Sequence, residues 1–155
     1  MEVFAQRMRL PTVPVEMVQE ALAVISNPDI QKKIMDPTDL YGFISLWDAN
    51  LPKLRQWLEG NVAPLVWHLS LFKRDMYIHK DPRTRSRIIY ILDPGGENVV
   101  TRYYDDDKQT LLETESLGRE NWVVMNAARY HDVQGIAPGQ YRYAITARVH
   151  SRLVG

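Results

Sequence analysis

The sequence predicts a mostly β protein with flanking helices, built as a double-sheet jelly roll or a barrel. Two observations predict it. Beyond Gly60 the chain breaks into about eight short strand-like runs separated by turn residues, the spacing of antiparallel all-β folds. Before Gly60, apolar residues recur at helical intervals instead. With 155 residues, the chain is expected to form one domain with one core. Residues 1–60 read as mainly helical support and 61–155 as the β core that carries any site.

Pro14 opens the first helical segment, in which Val15, Val18, Leu22 and Ile25 fall on one face; Asn27-Pro28 stops it. A shorter helix is expected from Asp29 to Met35. A third, from Pro52 to Glu59, places Leu54, Trp57 and Leu58 on one side with Gly60 as terminator. Strands are expected over Pro64–Phe72, Met76–His79, Ile88–Leu92, Asn98–Tyr104, Thr110–Glu113, Trp122–Asn126, His131–Ile136 and Tyr141–His150. Between them stand Asp81-Pro82, Asp93-Pro94-Gly95-Gly96, Asp105-Asp106-Asp107, Gly118 and Pro138-Gly139. The helices are expected to cover the outer face of one sheet.

Composition narrows the function. Hydrophobic residues at 45% and charged residues at 25% describe an ordinary folded chain. Nineteen basic and nineteen acidic side chains cancel, so no global field favours nucleic acid or anionic membrane. The chain has no cysteine, which excludes disulfides, zinc ribbons, iron–sulfur clusters and thiol nucleophiles, and leaves only nitrogen and oxygen ligands for a metal. No signal-peptide core and no run near the ~20 apolar residues of a membrane span is seen. A soluble, cytoplasmic protein is expected.

Of four histidines, two stand in unusual company. His79-Lys80-Asp81 sets an imidazole and a carboxylate two positions apart at a strand end, where both reach the same side. His131 opens a later strand that an antiparallel roll can bring alongside. Two histidines and one carboxylate form a facial triad, which holds one side of an octahedral metal, leaves three positions open and marks non-haem Fe(II) oxygenases. The other reading of Asp81 is an acid that only starts a turn before Pro82. Arg142 begins an alternating strand in which Arg142, Ala144, Thr146 and Arg148 share a face. Its planar fork can bind a carboxylate bidentately, or it can be an edge-strand arginine in a surface ion pair.

His79-x-Asp81, the Gly95-Gly96-Glu97 turn, and His131 followed by Gly139 and Arg142-Tyr143-Ala144-Ile145-Thr146 together resemble the Fe(II)- and 2-oxoglutarate-dependent dioxygenases. The nearest likeness is to the prolyl-hydroxylase and aspartyl/asparaginyl-hydroxylase branch, over roughly Met76 to Val149. The resemblance implies a double-stranded β-helix (cupin-like) core, Fe(II) on His79, Asp81 and His131, and Arg142 on the distal carboxylate of 2-oxoglutarate. The arginine of that branch lies slightly nearer the second histidine, so Arg142 requires a longer turn here; Arg148, on the same expected face, is the fallback. It also implies a strand tyrosine on the same carboxylate, for which Tyr90 is the choice. A hydroxylase acting on a peptidyl or small-molecule substrate follows. Retention of Asp81 speaks against halogenation, and the short chain leaves little room for substrate lids.

Arg83, Arg85 and Arg87 crowd the loop beside the proposed metal and could meet an acidic substrate, though such loops are usually just solvated. Asp105-Asp106-Asp107 lacks the spacing of a calcium loop and reads as a hairpin tip. Trp47, Trp57, Trp67 and Trp122 read as packing residues, and His68 as a core histidine; His150 carries no argument. The competing function is a non-catalytic jelly-roll binding domain, metal-free or with a structural ion. Substrate and oligomeric state are not legible.

Overall fold

A computed structural model describes residues 4–39, 42–47, 50–81 and 87–150. The loop arginines Arg83 and Arg85 lie outside the described residues. In chain order the elements are β1 (Ala5–Arg7), α1 (Val15–Ala23) running into a 3-10 turn (Val24–Ser26), α2 (Pro28–Met35), β2 (Phe43–Leu46) and α3 (Pro52–Asn61). There follow β3 (Val66–Phe72), β4 (Met76–His79), β5 (Arg87–Asp93), β6 (Val100–Tyr104), β7 (Leu111–Glu115), β8 (Trp122–Met125), β9 (Tyr130–Gln134) and β10 (Arg142–Arg148).

The strands form two antiparallel sheets, one ordered β1-β8-β5-β10-β3-β2 and the other β4-β9-β6-β7. Along the chain from β3 to β10 the sheets are visited in turn, except for the hairpin β6–β7, which stays in the smaller one. A mostly β protein with a few helices is what the sequence predicts.

The helices form where the sequence places them, for local reasons. Asn27-Pro28 does two jobs: it ends the first helical segment, and it starts α2, with the Asn27 side chain accepting from the Asp29 N–H at 2.9 Å and Pro28 preset for the first turn. Asp29 at the start of α2 and Lys32 and Lys33 near its end complement the helix dipole. The expected stop at Gly60 is displaced. α3 continues through it to Asn61, and the left-handed residue that closes the helix is Ala63 (φ 52), whose N–H donates to the Leu58 carbonyl.

Two strands, β1 and β2, fall in the third of the chain read as helical. Each is an edge strand, β1 on β8 and β2 on β3. Runs of 3 and 4 residues are too short to show an alternation of their own. Pairing with a preformed edge makes them strands, a tertiary effect that local pattern does not carry.

The six-stranded sheet has two distinct faces. Leu69, Leu71, Ile88, Tyr90, Leu92, Tyr143 and Ile145 pack against Ala21, Ile34, Leu54 and Leu58 of the helices. Ile89, Ile91, Val123, Met125 and Ala144 point the other way, toward the smaller sheet. β10 is buried on both sides along all but its last residue. Tyr143 ties it to the helical layer by donating to the Ala21 carbonyl at 2.8 Å. No helix among the described residues is long and apolar enough to cross a membrane.

The Gly95 turn reaches the same strand from the chain before it. Gly95 has φ +85, and a Cβ there would lie 2.8 Å from the backbone nitrogen of Arg142. Replacing Gly95 by Ala should therefore strain the turn and push on the start of β10. A loss of about 1–3 kcal/mol is expected for a forced left-handed conformation. Urea denaturation measures it; an unchanged midpoint would show that the turn and β10 are not in contact.

Candidate metal centre

Antiparallel pairing of β4 with β9 places His79 directly opposite His131, with ring centroids 4.4 Å apart. Asp81 follows two residues after the strand ends, and its N–H is held by the Ala127 carbonyl at 2.8 Å. One ligand atom from each of His79, Asp81 and His131 lies within 4.8 Å of the others. Three side chains separated by up to 52 positions in the sequence are thus close enough to hold one metal ion.

The imidazoles are oriented for that task. Nδ1 of His79 lies 2.8 Å from the Tyr77 carbonyl, and Nδ1 of His131 lies 2.8 Å from the Arg129 carbonyl. A carbonyl only accepts, so each Nδ1 carries the proton and each Nε2 presents its lone pair. Hydrogen bonds of this kind fix ring direction and tautomer in metal sites. Burial pushes the His131 pKa below the usual imidazole value, which keeps the ring neutral and able to ligate. Asp81 pairs through Oδ2 with Nη1 of Arg87, the first residue of β5. Its other oxygen is left for a cation.

The row of side chains continues inward. Tyr103 on β6 is the register partner of His131, and its ring lies 6.1 Å from the His131 ring. Thr101, two residues earlier on the same face, accepts from Arg142 Nη1 across the gap between the sheets at 3.2 Å. Arg142 is only 3% exposed. Burial pushes its pKa down to about 10, so the guanidinium remains charged. Its Nε has no hydrogen-bond partner, and neither has the buried hydroxyl of Tyr103. A buried cation lacking an anion is costly, and a carboxylate between Arg142 and Tyr103 would satisfy both groups. The residues present therefore fit a small carboxylate placed between Arg142 and Tyr103, inward of His79, Asp81 and His131.

Several site expectations need correction. Tyr90 does not face this space. It is in the helix-side core, tilted against Trp122 with ring centroids 5.0 Å apart, because odd and even positions of β5 point to opposite sides of the sheet. Tyr103 stands where a tyrosine was sought. The alternation of Val100–Tyr104 offered that signal, but only the β6–β9 register gives it meaning. Arg148 is the exposed last residue of β10. Six residues from Arg142, it stands roughly 20 Å along the strand at 3.3 Å per residue, too far to serve the same carboxylate. Arg87, read as a loop residue, belongs to β5 and pairs with Asp81.

Other expectations stand as read. Asp107 caps the β6–β7 turn, accepting from the N–H groups of Gln109 and Thr110. Trp122 is core, and His68 is buried, with Trp47 stacked on it at 4.1 Å. Burial, with a contribution from the charge of Arg87, pushes the His68 pKa down to about 4.

Replacing His79 or His131 by Ala should abolish binding of one Fe(II) or Mn(II) per chain while far-UV circular dichroism stays unchanged. Undiminished affinity of both variants by calorimetry would remove the metal assignment.

No family model matches the sequence, and no curated protein does. Among solved structures, AviO1 from Streptomyces viridochromogenes Tue57 is similar in fold: TM-score 0.58 at 14% identity, over 92% of this chain and 87% of that one. Peruvianin-I, a cysteine peptidase from Thevetia peruviana latex, aligns over 74% of this chain and 68% of its own at 15% identity, with a TM-score of 0.41 that carries no argument. The likeness to AviO1 extends over nearly the whole of both chains and concerns the fold alone.

Proposed function

We propose that this chain is an Fe(II)- and 2-oxoglutarate-dependent oxygenase on a double-stranded β-helix, hydroxylating a peptidyl or small-molecule substrate. The observation that carries the reading is the pairing of two features in one interior. One is an oriented His79–Asp81–His131 set. The other is a buried, charged Arg142 with an unsatisfied Nε beside the unsatisfied hydroxyl of Tyr103. The alternation of strands between the sheets from β3 to β10 supports the β-helix reading, since two sheets wound in that way are the jelly-roll arrangement.

In this reading His79, Asp81 and His131 would hold Fe(II), and Arg142 would receive the distal carboxylate of 2-oxoglutarate. The metal and co-substrate supply oxidative decarboxylation of 2-oxoglutarate to succinate and carbon dioxide, coupled to insertion of one oxygen atom from dioxygen into a substrate C–H bond. The protein's own part is positional. The Tyr77 and Arg129 carbonyls fix the imidazoles, and Arg87 occupies one oxygen of Asp81 so that the other faces the cation. Arg142 donates from its fork to the far carboxylate, with Tyr103 donating beside it. Ile89, Ile91, Val123 and Met125 make the neighbouring wall apolar, which excludes water from the reacting end.

A structural ion in a binding domain would account for the three ligands. It gives no reason for a buried guanidinium whose Nε has no partner among the described residues, inside the same space, and for that reason the oxygenase reading is preferred.

The test needs no knowledge of the substrate. With Fe(II), ascorbate and 2-oxoglutarate under air, wild-type protein should release succinate slowly, and Asp81→Ala should reduce it to background. Arg142→Ala should weaken 2-oxoglutarate binding by about 2–5 kcal/mol and leave metal affinity nearly unchanged. If wild-type protein, alone or supplemented with a metabolite pool, makes no more succinate than Asp81→Ala, the oxygenase reading fails. Tyr103→Phe tests the tyrosine separately: a severalfold rise in the 2-oxoglutarate Kd is expected for one lost hydrogen bond of about 1 kcal/mol, and Tyr90→Phe should give none.

A further inference from the structure

We propose that the substrate of this site carries an oxyanion, a carboxylate or a phosphate, and that Arg148 at the mouth receives it. The inference rests on the oxygenase reading for the word substrate; the docking of an anion on Arg148 does not depend on it.

The argument begins with register. Arg148 and Arg87 are Cα partners on adjacent strands, and Arg87 is the residue paired with the metal-side carboxylate of Asp81. Arg148 shares its strand face with Thr146, which bonds Ser70 in the interior at 2.9 Å, and with Arg142. Its stem therefore starts from the side of the sheet that lines the site, at the end where the metal ligands cluster. Arg142 holds the opposite end of the same strand.

Charge comes next. Asp81 faces one guanidinium already and is the acid of the metal set. Arg148, exposed, has no ion pair or side-chain hydrogen bond among the described residues. Two guanidiniums on neighbouring strands repel, and a divalent cation on His79, Asp81 and His131 would add to the excess. The chain as a whole has a formal net charge of +0, so the positive mouth is local. An oxyanion is the group that completes it, and the planar fork of arginine suits either a carboxylate or a phosphate.

The neighbouring surface adds a shelf. His68 is the register partner of Thr146, one row inward from Arg148, and the Trp47 ring, 51% exposed, lies against it. His68 brings no charge at neutral pH, since its pKa is near 4. A ligand with an acidic group and a flat apolar body would meet a cation and an aromatic face together.

The probes are therefore benzoate, phenyl phosphate and the uncharged isostere benzamide, followed by NMR of the Arg148 Nε–H and the Trp47 indole N–H. Titrations are run on metal-free protein and again with Zn(II) and 2-oxoglutarate added. One of the two acids should shift both signals and bind at least about tenfold more tightly than benzamide, roughly the value of a charge-assisted hydrogen bond. Arg148→Gln should abolish that preference and Arg148→Lys should keep part of it. The acid that binds more tightly names the oxyanion. Equal binding of acid and amide, or a preference that survives Arg148→Gln, would overturn the proposal. Absence of metal uptake in the wild type would defeat the oxygenase reading, while the metal-free titration would still decide this one.

Discussion

The site depends on the register between β9 and its two neighbours. With His79 opposite His131 and His131 opposite Tyr103, a metal pair and a hydrogen-bond donor stand in one row across three strands. Slippage by one residue would turn His131 to the outside and bring Asp132 in. The outer face of the same sheet opposes that slip. Asp132, 2% exposed, accepts from Arg102 at 3.0 and 2.6 Å and from the Tyr104 hydroxyl at 2.9 Å. Arg102 and Asp132 are themselves register partners, so this polar cluster and the metal row are the two faces of one alignment. Its worth lies in specifying that alignment, the use for which buried polar groups are best attested.

The electrostatics of the interior follow an order along β10. At one end Arg142 is sealed in, with Thr101 as its hydrogen-bond acceptor and no ion pair among the described residues. In the middle Ala144 and Thr146 are small, which leaves room beside the metal row. At the other end the guanidinium of Arg148 is in solvent. A single strand thus offers cations of different character at its two ends. The buried one loses most of its hydration and discriminates strongly for a charged, bidentate partner; the exposed one attracts from a distance and is screened by salt.

Much of this was legible from sequence, and what was not has a physical reason. His79 and Asp81 could be paired from spacing alone, because two positions on a strand end are local geometry. Adding His131 required only that an antiparallel fold return a strand. Alternation after a turn put Arg142 on a strand face with Ala144 and Thr146, while a part in holding a carboxylate came only from the family resemblance. Tyr90 was misassigned because a strand pattern gives two faces without saying which is inside, and β5 is buried on both; hydrophobicity then offers no contrast to choose by. Tyr103 was missed because its place beside His131 comes from register, a relation across 28 positions. β1 and β2 were invisible because edge pairing, not local pattern, forms them.

The helical layer positions the candidate site although none of its helices supplies one of the site residues described above. A strand that presents Arg142 inward must turn Tyr143, Ile145 and Ala147 outward, and these need cover. Leu54 and Leu58 of α3 and Ala21 of α1 are fully buried in the cluster that contains them. α3 is in turn fixed to α1 by the Glu20 carboxylate, which accepts from the Leu54 N–H at 3.1 Å, and α1 to β10 by the Tyr143 hydroxyl. Cover on that side fixes the height and tilt of β10, and hence where the guanidinium of Arg142 stands opposite Thr101. A buried cation tolerates little displacement, because each of its bonds is directional and water cannot replace them. The N-terminal third is therefore the support that holds the buried Arg142 in place.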